Sequence, residues 1–520
     1  MDRSQRFTET IVLIVAILGT GMVYLDQTAV NVALPALQND LNADIGDLQW
    51  IVDIYILVLA ILLLIGGVLG DRYGRVRVFI IGMIIFLLGS VGSGLASDTN
   101  LLILARAVQG LGGSLLVPGS LAIINATVVP ERRGQMLGLW GTFSPLITIA
   151  GPVVGGWLVD TVSWRAVFLI NLPLGLAAAI VAYRYLPESR DEEATGSLDW
   201  AGVFTLMIGL GSLLFAIIEG PHLGWGSPLV LGTLIAGIVG LIAFVIAEAV
   251  GKNPLIPLHL FRNRSFSGIN LMTLVLYIGL GAPFFFLTLN LQQIQGYTAA
   301  QAGLATLPIA LSLFVLARLV GGLSDKYGPM PFLVSGTLVV AVSFFLYRLP
   351  TFPESYWTSY FPAILLNGIG LGLLVVPLTV VALGSLPQRY SGVASGFNNA
   401  VSRISQMLSI AVFGVLMTNT FSQSVLARVA DLGLSAETTA VLAANIRSLG
   451  ETAVPPNLDA ATTAAIEEAI RLAFVDGFRL IMLLSAVCAV VGLAFGVWLI
   501  RYEANSEGVD VSQVETAVGD

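Results

Sequence analysis

Fourteen stretches of this chain are apolar for long enough to cross a lipid bilayer, and that feature narrows the accessible folds more than any other. At about 20 residues per helix, the runs fall near 9–35, 48–70, 78–97, 100–128, 135–159, 165–186 and 200–219, then near 228–249, 267–291, 299–323, 330–349, 358–383, 392–420 and 476–501. Hydrocarbon offers no hydrogen bonds, so each run is expected as a helix that pairs its own backbone groups. Composition agrees, with 56% hydrophobic and only 11% charged residues in 520, against about 25% charged in a soluble protein.

Whole classes of function fall away. The 24 basic and 32 acidic residues give a net charge of -8, the wrong balance for nucleic acid. A single cysteine, Cys488, forbids an intrachain disulfide and a cysteine-rich metal site. His222 and His259 lie far apart in loops, so no histidine-based metal or acid/base centre is expected. The chain has no P-loop, no G-x-G-x-x-G, no G-x-S-x-G and no H-E-x-x-H. An enzyme, a bound cofactor and ATP-driven pumping are therefore not expected. The first apolar run is too long for a cleaved signal core and is followed by many others.

Charge sets the expected orientation. Loops on the side of the amino terminus carry Arg72, Arg75, Arg77, Arg132, Arg133, Arg184, Arg190, Arg262 and Arg264, whereas short loops opposite carry Asp40, Asp44, Asp47, Asp98, Asp160 and Glu354. The positive-inside rule then places both termini in the cytoplasm of a multi-pass protein of the cell (inner) membrane. The segment 421–475 falls outside and reads as short amphipathic helices broken by Pro455 and Pro456.

An internal repeat divides the chain. Gly67-Val68-Leu69-Gly70-Asp71-Arg72-Tyr73-Gly74 is echoed by Gly321-Gly322-Leu323-Ser324-Asp325-Lys326-Tyr327-Gly328, so Asp71 and Asp325 differ by 254 positions. Six spans with loops need roughly 190 residues, which leaves about 60 for two inserted helices. The expected all-α membrane architecture is a six-helix bundle at 1–186, a linker with two inserted helices at 187–260, a second six-helix bundle at 261–502 and a tail at 503–520.

Several motifs carry a family resemblance. The loop Gly66 to Arg77 resembles the signature loop of the major facilitator superfamily. Leu25-Asp26-Gln27-Thr28-Ala29-Val30-Asn31-Val32-Ala33-Leu34-Pro35 resembles the first-helix motif of its fourteen-span drug:proton antiporter branch. Arg106-Ala107-Val108-Gln109-Gly110 resembles the motif associated with proton coupling, and Gly151-Pro152-Val153-Val154-Gly155-Gly156 is similar to the core of the antiporter motif. Trp164 to Gly175, Leu258 to Arg264, and Asn399 with Arg403 extend the likeness. Ile147 and Ser405-Gln406 depart from it, standing where that family commonly has glycines.

Charges buried in a bilayer need a reason, since each costs about 2.5 to 3.5 kcal/mol even on a lenient scale. Asp26 and Arg106 lie at matching depths, roughly 13 and 10 Å from the outer ends of their helices, and are expected to face one cavity and couple a proton to substrate. Asp53, about one turn inside its helix, is expected in a solvated or capping role, with substrate binding or coupling as the alternative. Arg403 is expected as an intramembrane functional or pairing charge, with Asn31 and Gln109 as further polar contacts. Resemblance implies that Gly67, Asp71, Arg72, Gly74, Arg75 and Asp325 form a latch between the halves. Gly151, Pro152, Gly155 and Gly156 are expected to form a hinge where helices touch.

These readings describe a proton-coupled secondary transporter that exports a lipophilic, drug-like compound, with buried acids favouring a cation. Its partners would be protons, the small substrate and the bilayer; the proton gradient would supply energy, and a monomer is expected. Two other readings stay open, an exporter of a lipid or amphiphilic metabolite and a non-transporting membrane sensor.

Overall fold

A computed structural model describes residues 3–190, 199–251, 254–350, 355–386, 391–456 and 458–500; the tail at 503–520 lies outside them. Regular structure among these residues is helical throughout. The first bundle comprises α1 (Arg3–Leu41), α2 (Ile45–Tyr73), α3 (Arg75–Gly94), α4 (Thr99–Thr127), α5 (Pro130–Thr161), and a broken span formed by α6 (Arg165–Leu169) and α7 (Asn171–Tyr185). An inserted hairpin follows, α8 (Trp200–Leu223) and α9 (Pro228–Val250). The second bundle comprises α10 (Arg264–Leu289), α11 (Ala299–Tyr327), α12 (Met330–Tyr347), α13 (Phe361–Gly384), α14 (Ser391–Val429) and α16 (Ala460–Leu499), with the short α15 (Ala436–Asn445) between the last two.

Thirteen spans among the described residues are long and apolar enough to cross a membrane. The glycine-rich α5 completes fourteen, packed along α1 and α11.

Local chemistry sets the helix ends. Asp44 and Asp47 form a reciprocal capping box at the start of α2, each carboxylate accepting the other's backbone N–H at 3.0 Å. The helix stops where Gly74 turns to φ +106°, a conformation open to glycine and strained for other residues. The second repeat copy does the same, because α11 begins with a Thr298/Gln301 capping box and ends at Gly328 with φ +79°. Arg72 lies over the ring of Tyr73 at 5.4 Å, and Lys326 over Tyr327 at 5.1 Å, so the sequence repeat is also a structural one.

Two expectations about elements change. The run at 165–186 is two helices, because Pro173 lacks the N–H that the Leu169 carbonyl four residues earlier would accept. The segment 421–475 is extended helix at both ends, since α14 continues to Val429 and α16 starts at Ala460, with the short α15 between them. Between them Leu442, Ile446 and Leu449 are buried in the main core, where the expected surface helices would have left them half exposed.

We call the face where α1 begins proximal and the other distal. The bundles meet chiefly through α5 against α11, α2 against α14, and α1 against α10. The polar bonds across the seam lie toward the distal end. Asp160 accepts the backbone N–H groups of Ala299 and Ala300 at 3.1 and 2.9 Å, a carboxylate set on the positive end of α11. Gln49 donates to the Ile410 carbonyl at 2.6 Å, and Gln292 to the Val32 carbonyl at 2.9 Å. The 446–451 turn closes over this end, with Arg447 paired to Asp44 at 2.9 Å and Gln38 donating to the Ser448 carbonyl at 2.9 Å. The inserted hairpin lies outside the seam, its α8 touching both α2 and α14, with Trp50 donating to Glu219 at 3.0 Å. Its α9 turns Ile235, Ile238, Val239 and Ile242 outward, as a lipid-facing helix should.

Closure at the distal end depends on backbone approach. A methyl group on Gly156 would lie 2.4 Å from the Ala299 carbonyl oxygen, and one on Gly303 would lie 2.1 Å from that of Pro152. Gly156→Val should therefore hold the distal end open while leaving the folded yield near wild type. Accessibility of a single cysteine at position 299 to a maleimide is expected to rise at least severalfold, and unchanged labelling in a folded variant would refute the argument.

Candidate functional site

The four helices α1, α3, α4 and α7 enclose a polar network in which no member is more than 1% exposed. Asp26, Arg106, Gln109, Asn171, Ser90 and Ser93 belong to it. Asp26 and Arg106, expected to share a cavity, form a direct ion pair through Oδ2 and Nη1. The other carboxylate oxygen accepts from Gln109 Nε2 at 3.0 Å and from Asn171 Nδ2 at 3.1 Å. Gln109 also donates to Ser90 at 2.9 Å, while its Oε1 accepts from Arg106 at 2.9 Å and from Ser93 at 3.0 Å. Arg106 is further held by the Ile51 carbonyl at 3.1 Å and stacks on Tyr55 at 4.1 Å. Tyr55 in turn donates to the Val23 carbonyl at 2.9 Å. Both carboxylate oxygens of Asp26 thus accept from buried donors. In this state the pair is walled inside the first bundle, not open to a cavity.

The remaining candidates separate. Asp53 is fully buried, and neither carboxylate oxygen has a hydrogen-bond partner among the described residues. The expected solvated or capping role is thereby corrected, because Asp44 and Asp47 do the capping and Asp53 lies two turns further in. One turn above it, Gln49 bonds α14, so Asp53 sits on the side of α2 that faces the seam. Arg403 is half buried on α14 and reaches across to α1, with its guanidinium 5.6 Å from the Tyr24 ring. Asn31 is half buried, and its side-chain oxygen has no partner among the described residues.

At the proximal end, Asp71 accepts from Arg75 at 2.8 Å, a bond that stays within the α2–α3 turn. Arg72 is exposed, and the side chain of Asp325 lies outside the described residues. The close approach to α4 belongs to Gly66, within α2, where a methyl would lie 2.2 Å from the Ser114 carbonyl oxygen, while Gly67 makes only ordinary contact. In α5, Gly151 and Gly155 lie against Thr28 and Ala29 of α1, and Gly156 lies against α11. Pro152 adjoins Gly303, so this stretch is packed between the two bundles at once.

The sequence model of the Major Facilitator Superfamily matches residues 16–410. The chain belongs to that superfamily. It is 32% identical over 503 residues to the tetracenomycin C resistance and export protein of Streptomyces glaucescens, covering 95% of this chain and 92% of that one. Over 528 residues it is 31% identical to the multidrug resistance protein Stp of Mycobacterium tuberculosis, covering 99% and 95%. The structure of a bacterial homologue of the human lysosomal transporter Spinster, inward-facing and occupied, matches with a TM-score of 0.64 at 17% identity, covering 97% of this chain and 100% of that one. Such a likeness shows a shared fold, while the family match and the relatives named for resistance and export make the chain a transporter and not an enzyme.

Within this superfamily fold, three buried or sealing contacts were not singled out from sequence. Asn171 reaches Asp26 because the break before α7 turns its first residue into the bundle, and its place beside Pro173 was the available signal. Glu188 accepts the backbone N–H groups of Val76 and Arg77 at 3.0 and 2.9 Å, so an acid 112 positions away seals the start of α3. Glu9 is fully buried and paired with Arg132 between α1 and α5. Nothing local in sequence marks either partnership.

Removing one member of a buried ion pair costs about 3 to 5 kcal/mol, because the other charge is left unpaired. Arg106→Gln should accordingly lower the melting temperature well below that of the Asp26→Asn, Arg106→Gln double variant. Thermal unfolding of purified protein checks this, and additive losses in the two substitutions would mean that the pair carries no coupling energy.

Proposed function

We propose that the chain is a proton-coupled antiporter that exports lipophilic compounds, with Asp26 as the proton-carrying group and Arg106 as its counter-ion. The observation that carries this reading is the buried pair itself. When Asp26 takes a proton the ion pair is lost, yet Arg106 keeps the Ile51 carbonyl, the Gln109 oxygen and the Tyr55 ring. Protonation would thus free α1 while these neutral groups go on holding the charged Arg106. The helix it frees contacts α5 and α4 in its own bundle and α10 and α11 in the other, so its movement bears on the seam.

Direction and orientation complete the proposal. The basic proximal loops face the cytoplasm, which makes the closed distal end the outer one. Relatives named for resistance and export support outward movement of a drug-like substrate. Asp26 is already neutralised by Arg106 here, so any preference for cations rests on Asp53 at the seam. Asp71 and Arg75 are free of the second bundle in this state among the described residues, consistent with a latch that engages across the halves when the proximal side closes. The working unit is a monomer, energised by the proton gradient in the cell membrane.

Proteoliposomes with an imposed pH gradient test the mechanism. Asp26→Asn should cut accumulation of both a neutral and a cationic fluorescent substrate to below about one-tenth, the loss expected of a proton-transfer group, while Asp26→Glu keeps part of it. Retained pH-driven transport of the neutral substrate alone would make Asp26 a charge-recognition residue. In the same assay, Asp71→Asn should slow transport with substrate affinity intact; parallel loss of folded protein would assign it a structural role. No flux for any substrate in wild type would favour the sensor reading.

Orientation has its own test. Ala444→Cys, placed in a Cys488→Ser background, should react with an impermeant maleimide added outside intact cells. Reaction only after permeabilisation would reverse the assignment.

A further inference from the structure

On the distal half, away from the seam, a crevice of about 580 Å³ opens between α11 and the turn that leads into α13. Its walls include Tyr297, Gln301, Leu304, Pro308, Leu311 and Trp357. We propose that it holds one acyl chain of a membrane lipid without net charge, with the headgroup at its distal mouth.

Four observations converge on this occupant. First, the crevice faces lipid: Ala299 and Gly303 on the opposite side of α11 are packed on α5, while Leu304 and Leu311 are about half exposed. Second, its depth suits one leaflet. Gln301 to Leu311 spans about 15 Å of helix, which is half of a hydrocarbon core about 30 Å thick. Below Leu311, the exposed Val315 and Leu319 continue the groove into the bilayer interior, so the wall is continuous with the surface that already meets lipid. Third, polarity is confined to the mouth. Gln301 spends its carbonyl on the Thr298 N–H at 3.0 Å, which leaves its amide NH2 as a donor beside Tyr297 and the 70% exposed Trp357. That is the amphipathic arrangement of an interfacial belt. Fourth, the width is set by a strut, since Tyr356 at the edge of the crevice donates to the Ala305 carbonyl at 2.9 Å. Among the described residues no charged side chain lines the crevice. Neutral donors at the mouth suit the phosphate of a zwitterionic headgroup and give an anionic one no advantage.

The site is independent of the proton carrier, so its test does not rely on transport. Delipidated full-length protein in detergent is titrated with phosphatidylcholine brominated on its acyl chains, and tryptophan emission is followed. The signals of Trp357 and Trp498 are isolated by subtraction of Trp357→Phe and Trp498→Phe. Trp498 is 69% exposed and serves as the reference for ordinary lipid contact. Quenching of Trp357 is expected at lipid ratios about tenfold lower than quenching of Trp498, the difference of one decade in affinity. Leu304→Trp, which fills the crevice from the exposed side, should remove one co-purifying lipid per chain by mass spectrometry at unchanged thermal stability. Coincident quenching of the two tryptophans, or equal lipid retention in folded Leu304→Trp, would overturn the proposal. Brominated phosphatidylglycerol quenching Trp357 about tenfold more effectively would overturn the uncharged headgroup. Displacement of the bromolipid by a lipophilic fluorescent cation would give the crevice to the exported compound instead.

Discussion

Hydrocarbon cannot solvate a charge, and the arrangement of the first bundle follows from how it meets that constraint at Asp26. A carboxylate at this depth is costly unless it is paired or hydrogen-bonded. Here it is answered by Arg106, Gln109 and Asn171 from two neighbouring helices, and those residues are answered in turn by Ser90, Ser93, the Ile51 carbonyl and the Tyr55 ring. One ionised group thus sets the relative positions of α1, α3, α4 and α7. Within it Arg106 is held by neutral groups as well as by the carboxylate, and the Asn171 oxygen is the one buried atom of these side chains without a hydrogen-bond partner among the described residues.

The seam between bundles follows a different rule. Within the bilayer there is no hydrophobic gain from helix association, so small residues and a few hydrogen bonds do the joining. Gly156 and Gly303 let α5 and α11 touch backbone to backbone, and Asp160, Gln49 and Gln292 each bond a main-chain group of the other half. Contacts of this kind are strong enough to seal one face and few enough to be released together. The 446–451 turn adds a polar clasp over the same end, where Leu449 is buried at φ +51°, a strained backbone retained in the closed arrangement.

Much of this was legible in the chain itself. Helix class and span number follow from run length, because a bilayer of given thickness demands a helix of given length and tolerates little else. The Gly74 and Gly328 turns were visible as a repeat, and their positive φ angles explain why glycine recurs at both. Asp26 and Arg106 were identified by the cost of burying charge at matching depths, and the structure joins them. Asp53 was misjudged, since distance from a helix end says nothing about which neighbour covers it; α2 buries that carboxylate completely.

What only the tertiary structure decided concerns partners distant in sequence. Glu188 on the start of α3, Asn171 on Asp26 and Glu9 on Arg132 depend on how helices rotate and cross. The same holds for the closed distal seam and for Gly66, not Gly67, as the point of close approach. Hydropathy and charge act on each segment separately, so one sequence suffices to state that a segment spans the membrane and which buried charges need an answer. Which residue answers is set by packing between segments, and that depends on the whole bundle at once.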